Sequence, residues 1–169
     1  MNKRLIIICG LPGSGKTTLA KQLEQDHSAV RFCPDEWMEK LSIDLFDEAV
    51  RDKIERLQWD MARKILSSGG CVIIEWGTWG RSERDALRED ARAIGANVEL
   101  HYLKLAPEEL FKRIQERGME DPPITWNTLL KWQDQIQEPN EKEYALYDNV
   151  YLNGIKRDKI EATIRKATP

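Results

Sequence analysis

The octapeptide Gly10-Leu11-Pro12-Gly13-Ser14-Gly15-Lys16-Thr17 constrains this chain more than any other stretch. It follows residues 5–9, a continuous apolar run of the kind that forms a strand buried on both faces. It leads into residues 16–26, where Leu19, Ala20 and Leu23 share one helical face. A strand entering and a helix leaving is the setting in which G-x-x-x-x-G-K-[ST] cradles phosphate. The glycines admit backbone angles that aim successive N–H groups at phosphate oxygens, and the helix adds the positive end of its dipole. Gly10, Pro12, Gly13, Ser14, Gly15, Lys16, Thr17 and Thr18 are therefore the candidate nucleotide-binding residues. Lys16 would neutralise the β- and γ-phosphates of ATP or a close relative, and the Thr17 hydroxyl would ligate Mg²⁺. The plainer reading, a glycine-rich turn with a chance lysine, leaves the flanking strand and helix unexplained.

Downstream, the pattern alternates. Strands are expected at 29–33, 71–75, 98–105 and 150–152, and helices at 35–41, 47–66, 82–94, 107–117, 125–137 and 157–166. In the longest helix, Val50, Ile54, Leu57, Met61 and Ile65 recur at helical spacing and predict the inward face. Strands alternating with helices imply a parallel sheet, because each crossover returns the chain to the same edge. The expected fold is three-layer α/β: about five parallel strands with helices on both faces. The 169 residues suit one domain.

Composition narrows the function. No apolar run approaches the roughly 20 residues a membrane span needs, and the opening MNKRLIIICG runs into glycines with no cleavage-site pattern. A cytoplasmic protein without membrane partners, monomer or homodimer, is expected. Cys9, Cys33 and Cys71 lack metal or redox spacing and read as buried free thiols. The net charge of −3 and pI near 5.6 argue against nucleic acid as a partner. An N-K-x-D base-reading motif, as in a GTPase, does not occur.

The segments GLPGSGKTTLAKQL, CPDEW, Arg81-x-x-Arg84 and LFKRIQER together resemble the small P-loop kinases over nearly the whole chain. Within them the pattern is similar to the group that includes chloramphenicol phosphotransferase, zeta-toxin kinases and polynucleotide kinase domains. The resemblance implies ATP- and Mg²⁺-dependent phosphoryl transfer to a hydroxyl, and a short helical lid near residues 113–137. Asp35 falls where such kinases place the aspartate that takes the acceptor's proton, although it also suits a helix N-cap. Glu75 falls where a Walker-B-like acid holds Mg²⁺ directly or through water; a solvent-facing strand-end carboxylate is the alternative. Arg113 and Arg117 fall where lid arginines close over the transferring phosphoryl group, with Glu109 at ion-pair spacing from Arg113.

Other candidates concern the acceptor. Arg81 and Arg84 put cations at a helix start, against its dipole, which calls for compensation by a substrate or by Glu83 and Asp85. Trp37, Trp76 and Trp79 are candidate substrate walls, whereas Trp59, Trp126 and Trp132 read as packing residues. Gly154, in the Asn153-Gly154 pair after the expected last strand, is either an adenine-contacting backbone position or an ordinary turn. The leading expectation is an ATP-dependent kinase acting on a small-molecule alcohol. Polynucleotide 5′-hydroxyl phosphorylation and a non-catalytic nucleotide-binding module are the alternatives.

Overall fold

The computed structural model describes residues 3–118 and 122–158. The architecture is built outward from β1 (Arg4–Gly10). Its side chains alternate between two buried faces, with Leu5, Ile7 and Cys9 on one and Ile6 and Ile8 on the other. Such a strand needs neighbours on both edges and cover above and below. β3 (Cys71–Gly77) and β4 (Asn97–Leu103) flank it in parallel, and β2 (Val30–Phe32) and β5 (Asn149–Leu152) extend the sheet.

On the Ile6 and Ile8 face, α1 (Lys16–His27) packs through Leu19, Ala20 and Leu23. The opposite face is covered by α3 (Glu48–Ser67), α4 (Arg81–Ala93), α5 (Pro107–Arg117) and α6 (Trp126–Gln135). Their inward residues are Ala62 and Leu66, Leu87 and Ala91, Leu110 and Ile114, and Leu129. This is the expected three-layer α/β fold of the small P-loop kinases. The three thiols are free, Cys9 and Cys33 buried and Cys71 half-buried. Among the described residues no helix is long and apolar enough to cross a membrane.

Four details depart from the expected elements. First, β5 is not the last strand. Asn153 and Gly154, with φ of 49° and 81°, form a two-residue hairpin turn into β6 (Ile155–Lys156), which pairs antiparallel to β5. The sheet order is β2-β3-β1-β4-β5-β6. Second, α2 (Pro34–Lys40) begins at Pro34 with Cys33 as N-cap, so Asp35 lies inside the first turn and does not cap it. Third, a short α7 (Glu141–Tyr144) follows α6, capped by the Asn140 side chain. Fourth, the buried line of α3 is Ile54, Gln58, Ala62 and Leu66, while Leu57 and Met61 are 53% and 40% exposed. Gln58 displaces the more apolar residues because its Oε1 accepts the Trp76 indole N–H at 2.8 Å, a bond that only an inward Gln58 can make. The closing helix expected over 157–166 lies outside the described residues beyond Asp158.

The α3 register has a measurable consequence. Ile54→Ala should cost about 2–4 kcal/mol in urea unfolding, whereas Leu57→Gln should stay within about 0.5 kcal/mol of the unaltered protein. Equal losses would show that Leu57 is buried after all.

Candidate active site

The phosphate loop joins β1 to α1 at the carboxyl end of the parallel sheet. Gly13 has φ 80°, and a Cβ there would lie 3.0 Å from both Ile114 Cγ1 and the Leu110 carbonyl. Glycine is thus required twice, for the backbone angle and for contact with α5. Lys16 Nζ donates to the Leu11 carbonyl at 3.0 Å. Burial pulls the Lys16 ammonium below its usual range, while Glu75, Cys9 and Asp35 push it up and Arg117 pushes it down. Three of the expected site residues therefore act electrostatically on the fourth. Ser14 Oγ is buried without a hydrogen-bond partner among the described residues. An orphaned hydroxyl beside a lysine fits an oxygen-rich anion held in the loop.

Glu75 is buried within β3, not turned to solvent. Its Oε1 accepts from the Thr17 hydroxyl and its Oε2 from Arg31 Nη1 at 2.8 Å. Arg31 also binds both Glu36 oxygens, at 2.7 and 2.8 Å. This arginine on β2 carries no motif and went unnoticed in the sequence, because one cation in a three-residue strand has no periodic signal. It fixes the rotamer of Glu75 and satisfies its buried charge.

Asp35 stands on the first turn of α2, its side chain 55% exposed. Arg51 Nη2 donates to Asp35 Oδ1 at 2.5 Å and to the Leu45 carbonyl at 3.2 Å, leaving Oδ2 to accept another donor. Arg113 Nε pairs with Glu109 Oε1 at 2.8 Å along the exposed face of α5, whereas the charge of Arg117 reaches Lys16.

The arginines of α4 are committed elsewhere. Arg84, named above as a substrate candidate, is 0% exposed. Its Nε and Nη2 grip Glu143 at 2.7 and 2.9 Å. It also donates to the carbonyls of Thr78 at 2.8 Å, Trp79 at 3.0 Å and Gln137 at 2.7 Å. A fully buried and fully bonded guanidinium cannot touch a substrate, so Arg84 is structural. It braces a strained corner, since Thr78 holds φ 47°, an angle costly for a β-branched residue. Arg81 is half-buried and pairs with Asp85 at 2.7 Å, which supplies the compensation its place at the helix start requires.

The tryptophans divide likewise. Trp79 Nε1 donates to the Gly10 carbonyl at 3.2 Å and its ring packs on Trp132, so it supports the phosphate loop. Trp37 packs edge-on against Phe32, and Trp126 against Phe111. Trp76 instead lines a cavity of about 320 Å³ between α3 and α4, with Asp52, Glu55, Arg56, Trp59, Thr78, Glu83 and Asp90 among its walls. Trp59, expected to be packing alone, meets Trp76 edge to face at 6.4 Å and shares that wall. Burial drives the Glu55 carboxyl up to about 7; Arg51 opposes the rise, and Glu83, Asp52 and Asp35 add to it.

A central parallel strand, a glycine-rich loop into a helix, and a lysine, two carboxylates and an arginine acting around that loop define a P-loop kinase fold. The chain belongs to the AAA domain family, whose profile matches residues 5–139. It is 30% identical to the adenylate kinase isoenzyme 6 homolog of Schizosaccharomyces pombe, over 82% of this chain and 67% of that protein. It is 23% identical to the shikimate kinase of Clostridium botulinum, over 95% of this chain and 94% of that one. Among solved structures, Chaetomium thermophilum Kti12 in complex with ADP-AlF3 aligns with a TM-score of 0.65 at 22% identity, covering 96% of this chain and 94% of that one.

Two outcomes follow. Glu143→Ala strands the buried Arg84 cation and should cost about 3–5 kcal/mol in urea unfolding. Arg84→Met with Glu143→Leu should recover only part of this, because the Thr78, Trp79 and Gln137 carbonyls lose their donor. Burial raises the Glu55 carboxyl from its ordinary 4.5 to about 7 in the folded chain. Between those values the folded state binds more protons than the unfolded, so stability falls as pH rises across the window. Glu55→Gln should therefore raise Tm by roughly 2–4 °C at pH 8 and leave it unchanged at pH 4.

Proposed function

We propose that this protein transfers the γ-phosphoryl group of ATP to a hydroxyl group of a small molecule. The observation that carries the reading is geometric: the glycine-rich loop brings Lys16 and Thr17 to Glu75, whose Oε1 accepts from the Thr17 hydroxyl, and the charges of Asp35 and Arg117 also act on Lys16. In this reading the backbone of Gly10, Pro12, Gly13, Ser14 and Gly15, with Thr17 and Thr18, cradles the phosphates. Lys16 and Arg117 offset the charge that spreads over the phosphoryl oxygens in the transition state. Arg113 joins them only by leaving Glu109, a surface pair worth little.

Asp35 accepts the hydroxyl proton at Oδ2 as the acceptor oxygen bonds to phosphorus and the bond from phosphorus to ADP breaks. Arg51 holds the other carboxylate oxygen and so sets its direction. Thr17 and Glu75 supply adjacent hard oxygens suited to Mg²⁺, which keeps several waters and takes few protein ligands. When bound, the ion would neutralise phosphate charge. With one Glu75 oxygen on Arg31, contact through an ordered water suits it best.

The carboxyl end of α5, where Gly118 closes the helix at φ 56°, and α6 form the moving part over residues 113–137, of which 119–121 lie outside the described residues. Gly154 sits beside the β4 end, where Lys104 N–H donates to Asn153 Oδ1 at 2.8 Å, a place from which backbone groups reach an adenine ring. Free thiols and ATP use suit the cytoplasm. A small acceptor is favoured over a nucleic-acid end by the net charge of −3 and the carboxylates beside the site.

The test is transfer itself. Incubation with ATP, Mg²⁺ and an alcohol panel should give a product heavier by one phosphate. Asp35→Asn should lower kcat by about 100-fold or more, while the Kd for ATP changes less than about threefold. Undiminished turnover in that variant would remove Asp35 from the reaction.

A further inference from the structure

The cavity between α3 and α4 has a chemistry that the phosphate loop does not explain. Four carboxylates line it, Asp52, Glu55, Glu83 and Asp90, against the single cation Arg56. Three of them already have protein partners. Asp52 pairs with Arg56, Glu83 accepts from the Gly80 N–H at 2.9 Å, and Asp90 accepts from Trp59 Nε1 at 2.9 Å. Glu55 differs, for it makes no hydrogen bond or ion pair among the described residues. The charge of Arg51 acts on Glu55, but the Arg51 guanidinium is bonded to Asp35 and the Leu45 carbonyl. A carboxylate drawn into a cavity with no ion-pair partner of its own is costly, and a ligand bearing a cation would relieve the cost.

The walls suit the same ligand. Trp59 and Trp76 meet at 80°, so they present two aromatic surfaces at a corner next to Glu55, an arrangement that attracts a cation to ring faces. Behind Trp76 the Gln58 amide is fully buried. Its Oε1 is taken by the indole, and its Nε2 has no partner. The cavity also borders the transfer site: the charge of Asp35 acts on Glu55, and Thr78, three residues beyond Glu75, forms part of the lining. A volume of about 320 Å³ admits one ring-sized molecule.

We propose that this cavity is the acceptor subsite and that the acceptor is a cationic alcohol of the amino-alcohol or amino-sugar class. Its ammonium rests on Glu55 against the aromatic corner that Trp59 and Trp76 form, and its hydroxyl points toward Asp35. The inference rests on the kinase reading above and specifies the other half of that site. A carboxylate-bearing acceptor would meet repulsion from the surplus of acids, and a neutral polyol would leave Glu55 without an ion-pair partner. Burial that lifts Glu55 to about 7 agrees with this, since an arriving ammonium stabilises the ionised form.

The test uses matched compounds that differ in charge: glucosamine, glucose and gluconate, then serinol, glycerol and glycerate. Binding is followed by tryptophan fluorescence with ADP and Mg²⁺ present, and transfer from ATP is measured separately. Each amine should bind about tenfold or more tightly than its neutral partner, with the carboxylate weakest. Glu55→Gln should bring amine and neutral compound within about twofold of each other, while ADP affinity persists and reports an intact fold. Asp52→Asn should reduce the preference less. Neutral or acidic compounds binding as tightly as amines, a preference unaltered in Glu55→Gln, or no binding by any of the six in the millimolar range would each overturn the proposal. Amine-selective binding without transfer to any alcohol would sink the kinase reading and leave the cation site standing. Transfer confined to neutral or acidic alcohols would do the reverse.

Discussion

The buried guanidinium of Arg84 is the interaction on which the rest of the site depends. It lies in the core against Glu143, and its remaining donors hold the carbonyls of Thr78, Trp79 and Gln137. Those carbonyls belong to the loop after β3 and to the segment that follows α6. One side chain therefore ties the strained Thr78 corner to residues 137–143. Trp79, fixed by this grip, supports the Gly10 carbonyl at the root of the phosphate loop. A charge buried so completely survives only if every hydrogen it carries is used, and that demand makes the surrounding geometry specific.

Arginines outside any motif orient the two acids proposed to act at the site. Arg31 holds Glu75, and Arg51 holds Asp35. Each leaves one carboxylate oxygen directed at the loop or open to a ligand. On the proposed reading, Lys16 and Arg117 add positive charge on the phosphate side, where Glu75 and Asp35 also stand, while the cavity between α3 and α4 is lined mostly by acids. A site so arranged would favour an anionic nucleotide on one side and a cationic acceptor on the other.

Much of the fold was legible because its signals are local. The apolar run before Gly10 and the turn-forming glycines mark β1 and the loop without ambiguity. The α3 register was misread because periodicity measures hydropathy, whereas Gln58 faces inward for a hydrogen bond to Trp76, distant in sequence. Arg84 was misassigned for a related reason. A cation at a helix start signals that compensation exists, and Glu143, which supplies much of it, lies 59 residues away with no motif to announce it. The Asn153-Gly154 turn carried a hairpin signal, but two residues of β6 are too few to show alternation. Glu55 and Trp59 lie four apart on α3 and share a wall, yet only the packing of α4 opposite turns that wall into a cavity.

The edges of the sheet have a bearing on assembly. On one side β2 spans three residues and includes Arg31, turned inward to Glu75; on the other, β6 spans two residues and includes Lys156. Edges this short offer little unpaired backbone for another strand to read, and the hairpin folds the outer one back on itself. Continuation of the sheet from one molecule into the next is therefore disfavoured at both ends. The sheet that carries the phosphate loop thus ends, among the described residues, on two short strands whose edges resist extension.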